Sequence, residues 1–85
     1  MSYSVVSFDY PKMLAYLTGT RASSWHDASG PETGCGQDYF YSGPRGREAY
    51  INFDQEHLTI AVDGETLFAG DPKEDQVLKK YVTES

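Results

Sequence analysis

Asp63-Gly64 constrains this chain more than any other pair of residues. A two-residue type I′ turn needs φ > 0 at both central positions, and Asp-Gly is among the few dipeptides that supply it at little cost. The pair lies within residues 48–70, EAYINFDQEHLTIAVDGETLFAG, where apolar and polar residues alternate with the period of half-buried strands. Closing the turn sets Val62 opposite Glu65, Ile60 opposite Leu67 and Leu58 opposite Ala69. A four-residue loop, Asp54-Gln55-Glu56-His57, then pairs Phe53 with Leu58 and Ile51 with Ile60. Both registers gather Ala49, Ile51, Phe53, Leu58, Ile60, Val62, Leu67 and Ala69 on one face. Two turns read separately agree on one apolar face, so an antiparallel sheet is the expected centre of the fold.

Extending upstream, Gln37 to Ser42 (QDYFYS) has strand chemistry and Gly43-Pro44-Arg45-Gly46 reads as a turn. Pairing Ser42 with Arg47 across it puts Phe40 opposite Ala49 on the apolar face and Tyr39 opposite Tyr50 on the other. Tyr3, Val5, Val6 and Phe8 outline an N-terminal strand. Asp9 then caps a short helix with Pro11 in its first turn, Met13, Leu14 and Leu17 on one face, and Gly19 as its stop. Residues 20–36, TRASSWHDASGPETGCG, show no period and read as a long irregular loop. After Gly70, Asp71 as cap, Pro72 at the first position and Glu74 as capping-box acid open a second helix carrying Val77, Leu78, Tyr81 and Val82. The expectation is one α+β domain spanning residues 1–85. It is a four-stranded antiparallel meander with two helices packed on one face, the N-terminal strand being a candidate fifth.

Size and charge bound the function. Eighty-five residues suit one small core, and a single cysteine rules out an intrachain disulfide and fits a reducing compartment. No apolar run approaches a membrane span, and the first ten residues lack the basic start and apolar core of a signal peptide, so a cytoplasmic location is expected. Thirteen acidic against seven basic residues give a formal charge of −6, which argues against direct nucleic-acid binding.

Catalytic and metal chemistry find poor material. Cys35 with His26 or His57, oriented by Asp27, is the one nucleophile-and-base combination, and Cys35 sits in a flexible GCG triplet. One cysteine and two histidines without metal-ligand spacing do not make a zinc site. Gly30, Gly34 and Gly36 lead into a strand rather than a helix, unlike a phosphate-binding loop. No cofactor, metal or catalytic residue is therefore expected.

Binding residues are easier to propose. The pairing scheme leaves Tyr39, Tyr41, Tyr50 and Phe68 on a sheet face without a helix, together with Asn52, Thr59, Ala61 and Thr66. Either the residue 20–36 loop folds over these aromatics with Trp25 as its anchor, or they and Trp25 meet a partner. Asp54, Glu56, Asp71, Glu74 and Asp75 collect at one end of the sheet, opposed by Lys73 alone. Capping accounts for part of that cluster. The rest would suit a basic surface on a larger protein, which complementary charge would help it find. The expected function is thus a small acidic, non-enzymatic inhibitor that blocks a basic nucleic-acid-binding surface. This is the style of anti-CRISPR or anti-restriction proteins from phages and mobile elements, by analogy of class and not of motif. The alternatives are an immunity protein or antitoxin neutralising a basic nuclease, a small enzyme using Cys35 and a histidine, and an accessory subunit that homodimerises on its aromatic face.

Overall fold

The computed structural model describes residues 6–84. The expected N-terminal strand is present as β1 (Val6–Phe8), while its Tyr3 and Val5 lie outside the described residues. Next come α1 (Tyr10–Thr18), β2 (His26–Ala28), β3 (Gln37–Ser42), β4 (Glu48–Asp54), β5 (His57–Val62), β6 (Glu65–Gly70) and β7 (Val82–Glu84). Strands β2 to β6 form a five-stranded antiparallel sheet in chain order, and β1 pairs with β7 in a separate two-stranded one. The class is α+β, with one α-helix among the described residues. The fifth strand of the main sheet is β2, drawn from the segment expected to be irregular.

Both turns read from the sequence close as type I′ hairpins. Asp63 and Gly64 have φ of 51° and 82°, and the turn is tied down from β4. Asp63 N–H donates to Glu48 O at 2.8 Å, and Asp63 Oδ1 accepts from Glu48 N–H at 3.0 Å. The β4–β5 loop is tighter than expected: pairing continues to Asp54 opposite His57, leaving Gln55 and Glu56 as the turn, at φ 48° and 65°. Ile51 opposite Ile60 and Phe53 opposite Leu58 stand as read.

Two registers differ from the expectation. The β3–β4 loop is one residue shorter, Pro44–Gly46, with Gly43 N–H donating to Arg47 O at 2.9 Å, so Ser42 faces Glu48 instead of Arg47. A one-residue slip exchanges the two faces of a strand. Tyr39 and Tyr41 therefore lie opposite Ile51 and Ala49 on the core face, and Phe40 faces Tyr50 on the other side. In β6 a bulge leaves Leu67 without a partner, because Ala61 pairs with Thr66 and Ile60 with Phe68. The bulge turns Phe68 toward the core, where Leu67 also packs, and leaves Ala69 exposed opposite Thr59.

The expected second helix is also different: it divides into two 3-10 turns, Pro72–Glu74 and Leu78–Tyr81. Asp71 caps the first as read, accepting from Lys73 N–H at 2.9 Å. Asp75 then stays extended and its Oδ2 accepts from Val77 N–H and Leu78 N–H at 3.0 and 2.9 Å. A second cap within the first turn competes with the helical pattern and restarts the chain. Leu78 still reaches the core.

Helix α1 follows its sequence signals, with Lys12 N–H donating to the Asp9 cap at 3.2 Å and Gly19 at φ 68° ending it. It places Tyr10, Met13 and Leu14 over Ala49, Ile51, Leu58, Ile60 and Val62 of the sheet. Trp25 completes this core at 4% exposure. Its Nε1–H donates to Thr20 Oγ1 at 2.7 Å, and a Cβ on Gly43 would enter its ring.

Candidate binding face

The register of β3 decides which side chains the uncovered sheet face presents. Phe40 and Tyr50 lie side by side there, ring centroids 5.3 Å apart, with Asp38 and Asn52 one step along. Asp38 is the hub. Its Oδ1 accepts from Tyr50 O–H at 2.6 Å and Asn52 Nδ2–H at 2.9 Å, and its Oδ2 accepts from Thr33 N–H at 2.8 Å. Asn52 Nδ2–H also donates to Cys35 O at 2.6 Å, and Cys35 N–H to Thr33 Oγ1 at 3.2 Å. Residues 33–35 are thereby moored across one half of the face. The donated bonds, from Tyr50 first, hold the Asp38 carboxyl down at about 2. The same bond raises the Tyr50 phenol, which Asp38 keeps as a donor.

The other half of the face is a groove of about 630 Å³. Phe40, Tyr50 and Ala61 form its floor, residues 28–31 one wall, and Glu48 with Asp63 and Gly64 the other. Gly30 rests against the Phe40 ring so closely that a Cβ would lie 2.6 Å from it. Two carboxylates line this groove and no lysine or arginine does. The adjoining hollow of about 240 Å³ holds Asp27, Glu32 and Asp38 and is likewise without a basic residue.

Of the aromatics expected on this face, only Tyr50 is there. Trp25 is a core anchor, and Tyr39 and Tyr41 pack at a tilt around Tyr10, with centroid distances of 4.9 and 6.3 Å. Burial, and then the Asp27 carboxylate opposite it, push the Tyr41 phenol up to about 12. Phe68 faces the core through the β6 bulge. The sequence reading missed Phe40 and Asp38 as face residues because it slipped β3 by one; the five residues between Ser42 and Glu48, with Gly at both 43 and 46, were the signal for a closer turn.

The acidic residues come together in part. Asp54 pairs with His57, and Leu58 pairs with Gly70, so Asp54, Glu56 and Asp71 share one end of the sheet. Asp54, Glu56 and Glu74 are exposed, whereas Asp71 and Asp75 spend their carboxylates on backbone N–H groups. Lys73 turns to Glu84, at 3.5 Å, leaving the other acids at that end unpaired among the described residues.

The thiol is exposed, and no hydrogen bond joins it to either histidine among the described residues. His26 and Asp27 pair with Ser42 and Tyr41, at the far end of β3 from Cys35, roughly 17 Å of strand away. No group of three His, Cys, Asp or Glu side chains among the described residues could hold a metal ion. No helix among the described residues is long and apolar enough to cross a membrane. Compared with known proteins, the chain matches no family model, no curated protein and no solved structure.

Proposed function

We propose that this chain is a small non-enzymatic binding protein that inhibits a larger protein by occupying its basic, nucleic-acid-binding surface. The observation that carries the reading is the groove over Phe40 and Tyr50, lined by Glu48 and Asp63 and by no basic residue. An apolar floor with carboxylates at its edge suits a lysine- or arginine-bearing segment, whose aliphatic stems pack on aromatic rings while its charged heads reach the rim. Glu32 and Asp38 extend the same sign along the face, and Asp54 and Glu56 extend it to the sheet end. A net charge of −6 would draw such a partner in and repel nucleic acid from the surface so covered.

The test is inhibition stoichiometry against a partner isolated from the native host and identified by mass spectrometry. Adding the protein should abolish the partner's nucleic-acid binding at one equivalent. The double substitution Phe40→Ala, Tyr50→Ala should remove that effect while leaving far-UV circular dichroism unchanged. Inactivation by a small fraction of an equivalent, growing with time, would instead mean catalysis and end this reading.

A further inference from the structure

The chain has three arginines, Arg21, Arg45 and Arg47, and all three line one hollow of about 470 Å³. Arg21 comes from the segment after α1, and Arg45 and Arg47 from the β3–β4 loop. Trp25 clamps these two segments together. Its Nε1–H holds Thr20 beside Arg21, and its ring lies where only Gly43 leaves room, two residues before Arg45. The clustering is therefore built into the core and is not a chance meeting of long side chains.

Two further observations separate this hollow from an ordinary solvated patch. Thirteen acidic residues are available, yet none of the three guanidiniums is in an ion pair among the described residues; the pairs formed are Lys12–Asp9 and Lys73–Glu84. Arg45 is also held at φ 62°, a left-handed conformation unfavourable for a residue with a Cβ, at the mouth of the hollow. Backbone strain of this kind collects at ligand sites. The neighbouring hydroxyls are already engaged: Thr18 Oγ1–H donates to Leu14 O, and Ser24 Oγ–H to Arg21 O. Recognition would fall to the guanidinium forks.

We infer that the three-arginine hollow between the end of α1 and the β3–β4 loop is a binding site for a phosphate monoester. Three cations lining one hollow leave two uncompensated around a single carboxylate, whereas a phosphate dianion offers more charge and three acceptor oxygens to planar forks. The site shares no lining residue with the acidic groove and does not depend on the inhibitory reading given above.

The experiment is a ¹⁵N–¹H NMR titration of the whole chain at low ionic strength with inorganic phosphate, ribose 5-phosphate, ribose and acetate, sodium chloride matching the ionic strength. Phosphate and ribose 5-phosphate should produce saturable shifts at the amides of Gly19, Arg21, Gly43, Arg45, Gly46 and Arg47, while ribose and acetate do not. Affinity for ribose 5-phosphate should fall between pH 7.5 and 5.5 as the monoester, with its second pKa at about 6, becomes a monoanion. Arg47→Gln and Arg45→Asn, the latter chosen because asparagine tolerates the left-handed backbone, should each weaken binding about tenfold, equivalent to ~1.4 kcal/mol. Shifts that chloride reproduces, that acetate matches, or that survive both substitutions would overturn the inference. A variant that loses its dispersed spectrum is replaced by Arg21→Gln, which alters neither the loop nor the core and must give the same loss.

Discussion

Trp25 shows how much one side chain fixes in a chain this short. Thr18 Oγ1–H donates to Leu14 O at 2.6 Å, so the 2.7 Å bond between the Thr18 and Thr20 hydroxyls must run from Thr20 as donor. Thr20 Oγ1 is then free to accept from the indole, and a directed relay runs from Trp25 to the helix backbone. The indole's other side is closed by Gly43, so Gly43→Ala should cost about 1–3 kcal/mol by overpacking, read as a fall in urea midpoint at unchanged m-value. An unaltered midpoint would mean the ring has room to move. Asp38 carries a pH prediction. Its carboxyl is held below the ordinary value of 3.8, at about 2, so its contribution to stability is fully present above the unfolded value and is lost as pH falls through the folded one. The Asp38 carboxyl carbon should accordingly titrate near 2 by NMR, with the amides of residues 33–35 losing their dispersion in the same window. Titration near 3.8 would mean that the Tyr50, Asn52 and Thr33 bonds are not kept in solution. The sequence announced Trp25 as an anchor or a contact residue, and its place in the core follows from Thr20 and Gly43, which no period in residues 20–36 reveals.

Among the elements, those set by local chemistry were legible and those set by a count of one residue were not. Asp63-Gly64 names its own turn, and with the alternation on either side it fixes the pairing of β4 with β5 and the burial of Ile51, Leu58 and Ile60. The Asp9 cap and Gly19 stop likewise delimit α1. Register across the β3–β4 loop depended on whether Gly43 belongs to the loop or the strand, and β6 on a bulge at Leu67 whose cause is packing against the core. Each error moved aromatics between faces, which is why Tyr39, Tyr41 and Phe68 were read as surface and Phe40 as core. The C-terminal capping signal was genuine but doubled, since Asp75 repeats what Asp71 had begun. The β4–β5 turn holds a prediction of its own. Gln55 and Glu56 adopt left-handed backbone with side chains poorly suited to it, a cost of about 1–2 kcal/mol per residue. Glu56→Gly should relieve part of this and raise stability by about 0.5–1 kcal/mol net of the added unfolded-state freedom, seen as a higher melting temperature. A lower one would show Glu56 making a compensating contact.

The whole molecule is thin, with principal extents of 45 × 28 × 19 Å. Layers of a sheet and what packs on it are about 10 Å apart, so the short dimension holds two layers and no third. α1 and the C-terminal turns form the second layer on the core face, and among the described residues the opposite face is covered in part, where residues 33–35 are moored and where Gly30 rests against Phe40. Charge is divided over this slab. The three arginines sit by the β3–β4 loop, while Asp54, Glu56 and Asp71 lie at the opposite end of the strands. If the groove engages a basic partner, these parts should act on different steps of binding. Exposed carboxylates steer encounter over about a Debye length, ~8 Å at physiological salt, whereas contacts inside the groove govern escape. Neutralising Asp54 and Glu56 together should slow association and flatten its dependence on salt, with dissociation unchanged. Phe40→Ala or Tyr50→Ala should speed dissociation about tenfold, the equivalent of ~1.4 kcal/mol. Tyr39→Ala should instead lower the melting temperature, because that ring packs on Tyr10. Surface plasmon resonance against the isolated partner at two salt concentrations separates the rates, and thermal denaturation followed by circular dichroism separates binding from folding. Equal association rates for the neutralised and native proteins would remove the acidic end from the interface. A Tyr39 substitution that weakened binding without touching stability would place the partner on the other face of the sheet.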